Sequence, residues 1–215
     1  MKNAVWCSYK LKLRKMKKIL LVFALFAGTT FSASAQVQQG SILIDTYYGF
    51  PNLYKSAFEG VVATGTETNV KAGGIGPLGL RAEYLASDKF GVGIDFCYSN
   101  AYVSQDDFGS DGVTVYTYEI NSPKIGIMAT LNYHFVTTET VDFYFIAGGG
   151  WKNRTLNAET NDPDYNTESI DLSLLNIAAR VGLGTRIFFT ENIGINLGVG
   201  FGQGSILNGG VSVKL

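Results

Sequence analysis

Between residues 90 and 99 every even position is large and apolar (Phe90, Val92, Ile94, Phe96, Tyr98), and every odd one is small or polar (Gly91, Gly93, Asp95, Cys97, Ser99). A period of two sustained over ten residues is the signature of a strand with two chemically distinct faces. The pattern returns at 124–135, where Ile125, Ile127, Ala129, Leu131, Tyr133 and Phe135 oppose Lys124, Gly126, Met128, Thr130, Asn132 and His134. It returns again at 173–189, with Leu175, Ile177, Ala179, Val181, Leu183, Ile187 and Phe189 against Asn176, Arg180, Gly182, Gly184 and Arg186, and at 193–201. Shorter alternations lie at 41–50, 77–85 and 141–151, and Val211, Val213 and Leu215 carry the pattern to the last residue. The pattern predicts about eight strands and no core helix.

In a soluble sandwich the apolar face packs inward. Here the second face is mostly Gly, Ser, Thr and Asn with a few charges, too small and polar for a protein core. Large apolar residues outside and small polar ones inside fit a narrow barrel immersed in lipid. The fold expected is therefore all-β: an eight-stranded antiparallel up-and-down transmembrane barrel, preceded by a cleavable signal peptide. The links near 86–89, 136–140 and 190–192 are short, whereas 51–70, 105–119 and 154–171 read as long polar loops, with 202–206 a short exception. Alternating short and long connections are those of periplasmic turns and extracellular loops. Aromatics crowd the short turns (Tyr84, Phe90, Tyr133, Phe135, Phe143, Tyr144, Phe188, Phe189), and the outward ones are expected to form an interfacial girdle.

Composition agrees. Charged residues are 16%, Gly numbers 26 and aromatics are 13%, yet mean hydropathy is only +0.12, too low for several membrane helices. The net charge of -1 hides a basic leader on an acidic body, because all residues from 1 to 35 include seven Lys or Arg and no acid. An acidic body excludes the basic face that nucleic-acid binding needs. Lys17 and Lys18 precede the apolar run 19–27, and Ala33-Ser34-Ala35 ends in a small-x-small site before Gln36. This pattern predicts a signal peptide at 16–35, cleaved between Ala35 and Gln36, with 1–15 expected to be an upstream extension before a natural start at Met16 and 36–215 the barrel domain. The apolar run is shorter than the roughly 18–20 residues of a spanning helix. Cys7 falls in the leader, so Cys97 is the one thiol of the processed chain, read as a small lumen-packing residue.

The leader from Lys17 to Gln36, the Leu131-Asn132-Tyr133-His134-Phe135 strand end before a short turn, and the terminal alternation resemble the small outer-membrane barrel families, OmpA/OmpX-like and OmpW-like. The resemblance spans the mature chain and is one of architecture. It implies a Gram-negative outer-membrane location, with the lipid bilayer and the insertion machinery as partners and extracellular ligands reached through the loops. Such barrels usually end in an aromatic residue, where this chain ends in Leu215.

No catalytic constellation stands out, and neither cofactor nor metal is expected. His134 is the sole histidine, placed in the lumen beside a short turn, where a structural hydrogen bond suits it better than catalysis. The acids Asp106, Asp107 and Asp111, and Glu159, Asp162, Asp164, Glu168 and Asp171, read as solvated loops. The inward charges are more informative: Asp45, Arg81, Glu83, Asp95, Lys124, Arg180 and Arg186, joined by His134 and Asp142, share one interior in which opposite signs must meet or reach water. A three-residue turn Ser87-Asp88-Lys89 sets Arg81 opposite Asp95, and the same count across Thr137-Thr138-Glu139 sets His134 opposite Asp142. The interior is expected to be plugged, with a structural or loop-mediated adhesion role. The alternative is a narrow OmpW-like channel for small or hydrophobic solutes.

Overall fold

The computed structural model describes residues 37–64, 69–109, 112–171 and 176–215; the expected leader, its cleavage site and the upstream extension lie outside them. The strands are β1 (Ile42–Phe50), β2 (Val70–Leu85), β3 (Phe90–Phe108), β4 (Val115–Asn121), β5 (Lys124–Thr137), β6 (Val141–Thr160), β7 (Glu168–Asp171), β8 (Ile177–Phe188), β9 (Ile193–Phe201) and β10 (Leu207–Lys214). All pairings are antiparallel, and β1, β2, β3, β5, β6, β8, β9 and β10 close on themselves when β10 returns to β1. The result is a closed ring of 8 strands, which leaves no sheet edge around the barrel wall.

β4 continues the line of β5 beyond a break at Ser122-Pro123, because both pair β3 and β6 in one unbroken register. β7 likewise extends β8 along β6. With the upper parts of β2, β3 and β6 they form a wing that rises above the ring at the long-loop end. The regions 105–119 and 154–171 are therefore largely strand, not loop. The reason is an inversion of faces: on the wing Tyr116, Tyr118, Ile120, Leu156 and Ile170 share the side that continues the lumen, while Asp106, Thr117, Glu119, Asn157 and Glu159 face out. A polar outer face is what water requires, and it made these strands resemble loops.

The region 51–70 is corrected too, since it holds a helix, α1 (Leu53–Thr64). Asn52 caps it: its side-chain Oδ1 accepts the backbone N–H of Tyr54 at 3.2 Å and of Lys55 at 3.1 Å, satisfying two of the orphan donors of the first turn. Lys55 and Glu59 pair one turn apart at 3.4 Å on an exposed face, an interaction worth a few tenths of a kcal/mol.

The turn at 87–89 places Leu85 opposite Gly91 and Arg81 opposite Asp95, without a bulge between. The next hairpin departs from the expected count. Thr138 closes a four-residue turn, its backbone N–H donating to the Val141 carbonyl at 2.8 Å and its hydroxyl accepting the Val141 N–H at 3.0 Å. Thr137 therefore pairs with Asp142, and a bulge at Phe135 lets His134 pair with Tyr144 rather than Asp142. Both Phe135 and Val136 stay exposed on the outside, where Phe135 stacks on Phe143 with ring centroids 6.2 Å apart.

Outside, the ring exposes the residues that alternation assigned there: Leu131 is 64% accessible, Ile94 58% and Leu183 51%. On β5 the run from Ile125 to Phe135 rises about 26 Å, at about 3.4 Å per residue and a tilt of about 40°. That matches the apolar band of about 25 Å on membrane barrels. Of the aromatics near the short turns, Tyr144 and Phe188 turn inward instead. Phe188 joins Val37, Leu43 and Leu85 in an apolar plug that floors the lumen at the short-turn end.

Candidate functional site

Above that floor the lumen is filled by charge. Arg186 on β8 is fully buried and serves three carboxylates: Nη2 lies 2.6 Å from Glu83 Oε2 and 2.8 Å from Asp45 Oδ2, and Nη1 lies 2.9 Å from Asp142 Oδ2. Arg81 on β2 reaches Asp45 at 3.3 Å and Asp95 at 3.4 Å, and donates to the Tyr144 hydroxyl at 3.0 Å. Arg180 caps the cluster with a 2.6 Å contact to Asp95, which also accepts the Tyr47 hydroxyl at 2.7 Å. Asp45 is completed by Ser212, whose hydroxyl donates at 2.6 Å. These groups come from β1, β2, β3, β6, β8 and β10, so the cluster ties most of the ring together.

His134 sits between Asp142 (Nδ1 to Oδ1, 2.7 Å) and Glu83 (Nε2 to Oε1, 2.8 Å), each contact needing one proton. The bulge therefore moves His134 out of register with Asp142 without breaking their contact. Four carboxylates face three guanidiniums, and the imidazole in its protonated form would complete the balance. Ion pairs that stay this dry are tolerable only when each charge is met and hydrogen-bonded.

Of the nine interior residues singled out from the sequence, Asp45, Arg81, Glu83, Asp95, His134, Asp142, Arg180 and Arg186 form one connected network. Lys124 stands apart. It lies higher, where its Nζ donates to the Gln203 carbonyl at 2.9 Å. Two aromatic members of the network carried an available signal, since Tyr47 and Tyr144 fall on inward positions by parity. Their rings lie over glycines on the neighbouring strands: a Cβ at Gly79 would overlap the Tyr47 ring, and one at Gly184 the Tyr144 ring. Arg186 stacks over Tyr144 with 4.2 Å from Cζ to the ring centroid.

The long-loop end is covered as well. Gly202 and Gly204, at φ of 115° and 94°, turn the 202–206 segment inward, a backbone that side chains rarely adopt. Gln203 and Ser205 are consequently buried over the lumen. A cavity of about 10 Å³ between Arg180, Tyr47, Gln203 and Asn208 has room for one water molecule. Leu53 N–H at the start of α1 donates to the Gly204 carbonyl at 2.9 Å, and the Tyr54 ring lies 3.4 Å from the Arg154 guanidinium carbon. Arg154 and this cover were missed because the segments bearing them read as loops.

Fold and lumen together define a closed eight-stranded antiparallel barrel, apolar outside and ion-paired within. The chain matches no family model, and it matches no curated protein. Among solved structures it is similar to the N-terminal β-barrel domain of Pseudomonas aeruginosa OprF, at 15% identity over 83% of this chain and 99% of that one, with a TM-score of 0.39. It is similar to Ail, the attachment invasion locus protein of Yersinia pestis, in complex with the heparin analogue sucrose octasulfate (14% identity, 82% and 99% coverage, TM-score 0.40). It is similar too to the outer membrane protein OprG of Pseudomonas aeruginosa (14% identity, 85% and 99% coverage, TM-score 0.41).

Proposed function

We propose that this chain is an exported barrel that spans the bacterial outer membrane, with a plugged interior and a structural or loop-mediated interaction role. The observation that carries the reading is the exterior of the ring. Large apolar side chains are exposed all round a closed barrel whose charges within that apolar band all point inward, an arrangement that water would penalise and lipid requires. The short-turn end would face the periplasm and the wing the cell exterior, its polar outer face suited to water. The leader ending at Ala35 would direct export, and the insertion machinery would read the apolar C-terminal strand.

A non-enzymatic role is supported by His134, buried with both ring nitrogens engaged by carboxylates, so neither is directed at a substrate. A second reading, a narrow conduit for small or hydrophobic solutes, draws on the apolar inner face of the wing at Tyr116, Tyr118 and Ile120. Conductance across planar bilayers separates the two. The plugged barrel gives at most rare, small openings, and steady currents or solute flux would favour the conduit. Outer-membrane fractionation with heat-modifiable gel migration tests the location and the folded barrel; recovery in the soluble fraction would overturn both.

A further inference from the structure

The upper lumen, between the Asp95 level and the break at Ser122, has a different charge from the cluster below. Lys124, Lys152 and Arg154 all occupy inward positions there. Among the described residues, no inward position of β3, β5, β6 or β8 between Asp95 and that break is acidic. The carboxylates Asp45, Glu83, Asp95 and Asp142 lie at or below this level and are already paired. Lys124 is 4% exposed, and its ammonium meets the neutral Gln203 carbonyl. Burying a cation against neutral partners sacrifices hydration, a loss that pairing with an anion would offset.

What closes this chamber is thin. The cover consists of the 202–206 turn and α1, most of whose residues are exposed. α1 is anchored at its start: the Asn52 side-chain amide donates to the Ile75 carbonyl at 3.2 Å and to the Asn100 carbonyl at 3.0 Å. Beyond that anchor it meets the lumen through Tyr54, whose ring covers Arg154. A short, largely exposed helix belongs to the low-stability parts of a structure that open locally.

We propose that α1 is a hinged cover over a cationic chamber that takes small anions when Tyr54 lifts off Arg154. An entering anion and the Tyr54 ring then compete for the same guanidinium, so occupancy of the chamber and closure of the cover oppose one another. The central ion cluster still seals the barrel below, so the chamber is a pocket open to the long-loop end and not a passage.

Cys97 reports on it directly. Its thiol is buried in the chamber, and it borders Gly126 together with Lys152. In the full chain carrying Cys7→Ser, folded in detergent micelles, Cys97 is labelled with a negatively charged (sulfonatoethyl) or a positively charged (trimethylammonium-ethyl) methanethiosulfonate. The parent should label slowly. Tyr54→Ala should label about tenfold faster, the expected scale for loss of one ring–cation contact. Tyr54→Phe, which keeps the ring, should stay slow. The negative reagent should outpace the positive one, and Lys152→Gln should narrow that preference. Ala57→Pro, at an exposed position of α1, unwinds the helix without touching the lumen and should act like Tyr54→Ala should that variant fail to fold. Release variants that label no faster than the parent, or a faster positive reagent, would overturn the proposal. Because no bilayer is used, either result leaves the membrane reading to its own tests.

Discussion

Arg186 reaches across the lumen from β8 to Glu83 on β2, placing its Nη2 2.6 Å from Glu83 Oε2. The two residues are 103 apart in sequence, and the same guanidinium holds Asp45 and Asp142. Removing Arg186 leaves three carboxylates facing one another in a dry interior. Arg186→Ala should therefore destabilise the folded barrel by about 3–5 kcal/mol, measured by urea unfolding in vesicles, and more than Arg186→Lys. A loss below about 1 kcal/mol would mean that water reaches the cluster.

Asp95 is shared in the same way, by Arg81, Arg180 and the Tyr47 hydroxyl. Asp95→Ala strands the Arg180 guanidinium and leaves Arg81 with Asp45 alone, whereas Arg81→Ala strands neither Asp95 nor Asp45, which keep Arg180 and Arg186. We expect Asp95→Ala to be the costlier change and the Arg81→Ala/Asp95→Ala double variant to recover part of the loss. Strict additivity in that double-mutant cycle would contradict the pairing.

The register behind the Arg81–Asp95 pair was legible in the sequence because strand parity and a short turn suffice to fix it. The eight strands, the outward faces and the inward charges were legible for the same reason: a period of two survives wherever the two faces of a strand meet different surroundings. Three features were hidden. The bulge at Phe135 depends on the Thr138 side chain closing a turn one residue longer than the simplest count. The wing reverses its polar and apolar faces at the rim, so 105–119 read as loop. α1 is short, and the helical spacing of Leu53, Tyr54, Ala57, Phe58, Val61 and Val62 behind the Asn52 cap is a signal that a reading keyed to a period of two passes over.

The outer face offers a direct contrast. Arg in place of Leu131 or Leu183 should cost about 2–4 kcal/mol near the bilayer midplane. At the neighbouring inward positions Thr130 and Gly182 the same change acts by crowding, since a Cβ at Gly182 already meets the Val199 carbonyl oxygen at 2.6 Å. A barrel surrounded by water would accept Arg at Leu131 and Leu183 with little change.

On the wing, Tyr118 donates its hydroxyl to Asp162 at 2.6 Å, and this hydrogen bond raises its ionisation to about 12, from an ordinary 10.0. Because the folded value is the higher one, the contact stabilises fully below pH about 10 and is lost as pH rises through about 12. Ultraviolet titration of the phenolate band should show a tyrosine step near pH 12 that returns toward the ordinary value in Asp162→Asn. An unchanged titration curve in that variant would dismiss the contact.

Orientation is tested on intact cells. Protease added outside should cut within 51–70, 105–119 or 154–171, and cleavage confined to 86–89 or 136–140 would invert the barrel.

Trp151 shows whether the apolar exterior faces acyl chains. It projects outward from β6 near the upper edge of the band and is 44% exposed. With Trp6→Phe in place it is the single tryptophan of the chain. Reconstituted into vesicles of lipids brominated at defined acyl positions, Trp151 should be quenched, more strongly by bromine near the headgroup than by bromine at the bilayer centre. Fluorescence indifferent to bromine at every depth, from protein that has folded, would contradict a membrane-spanning barrel.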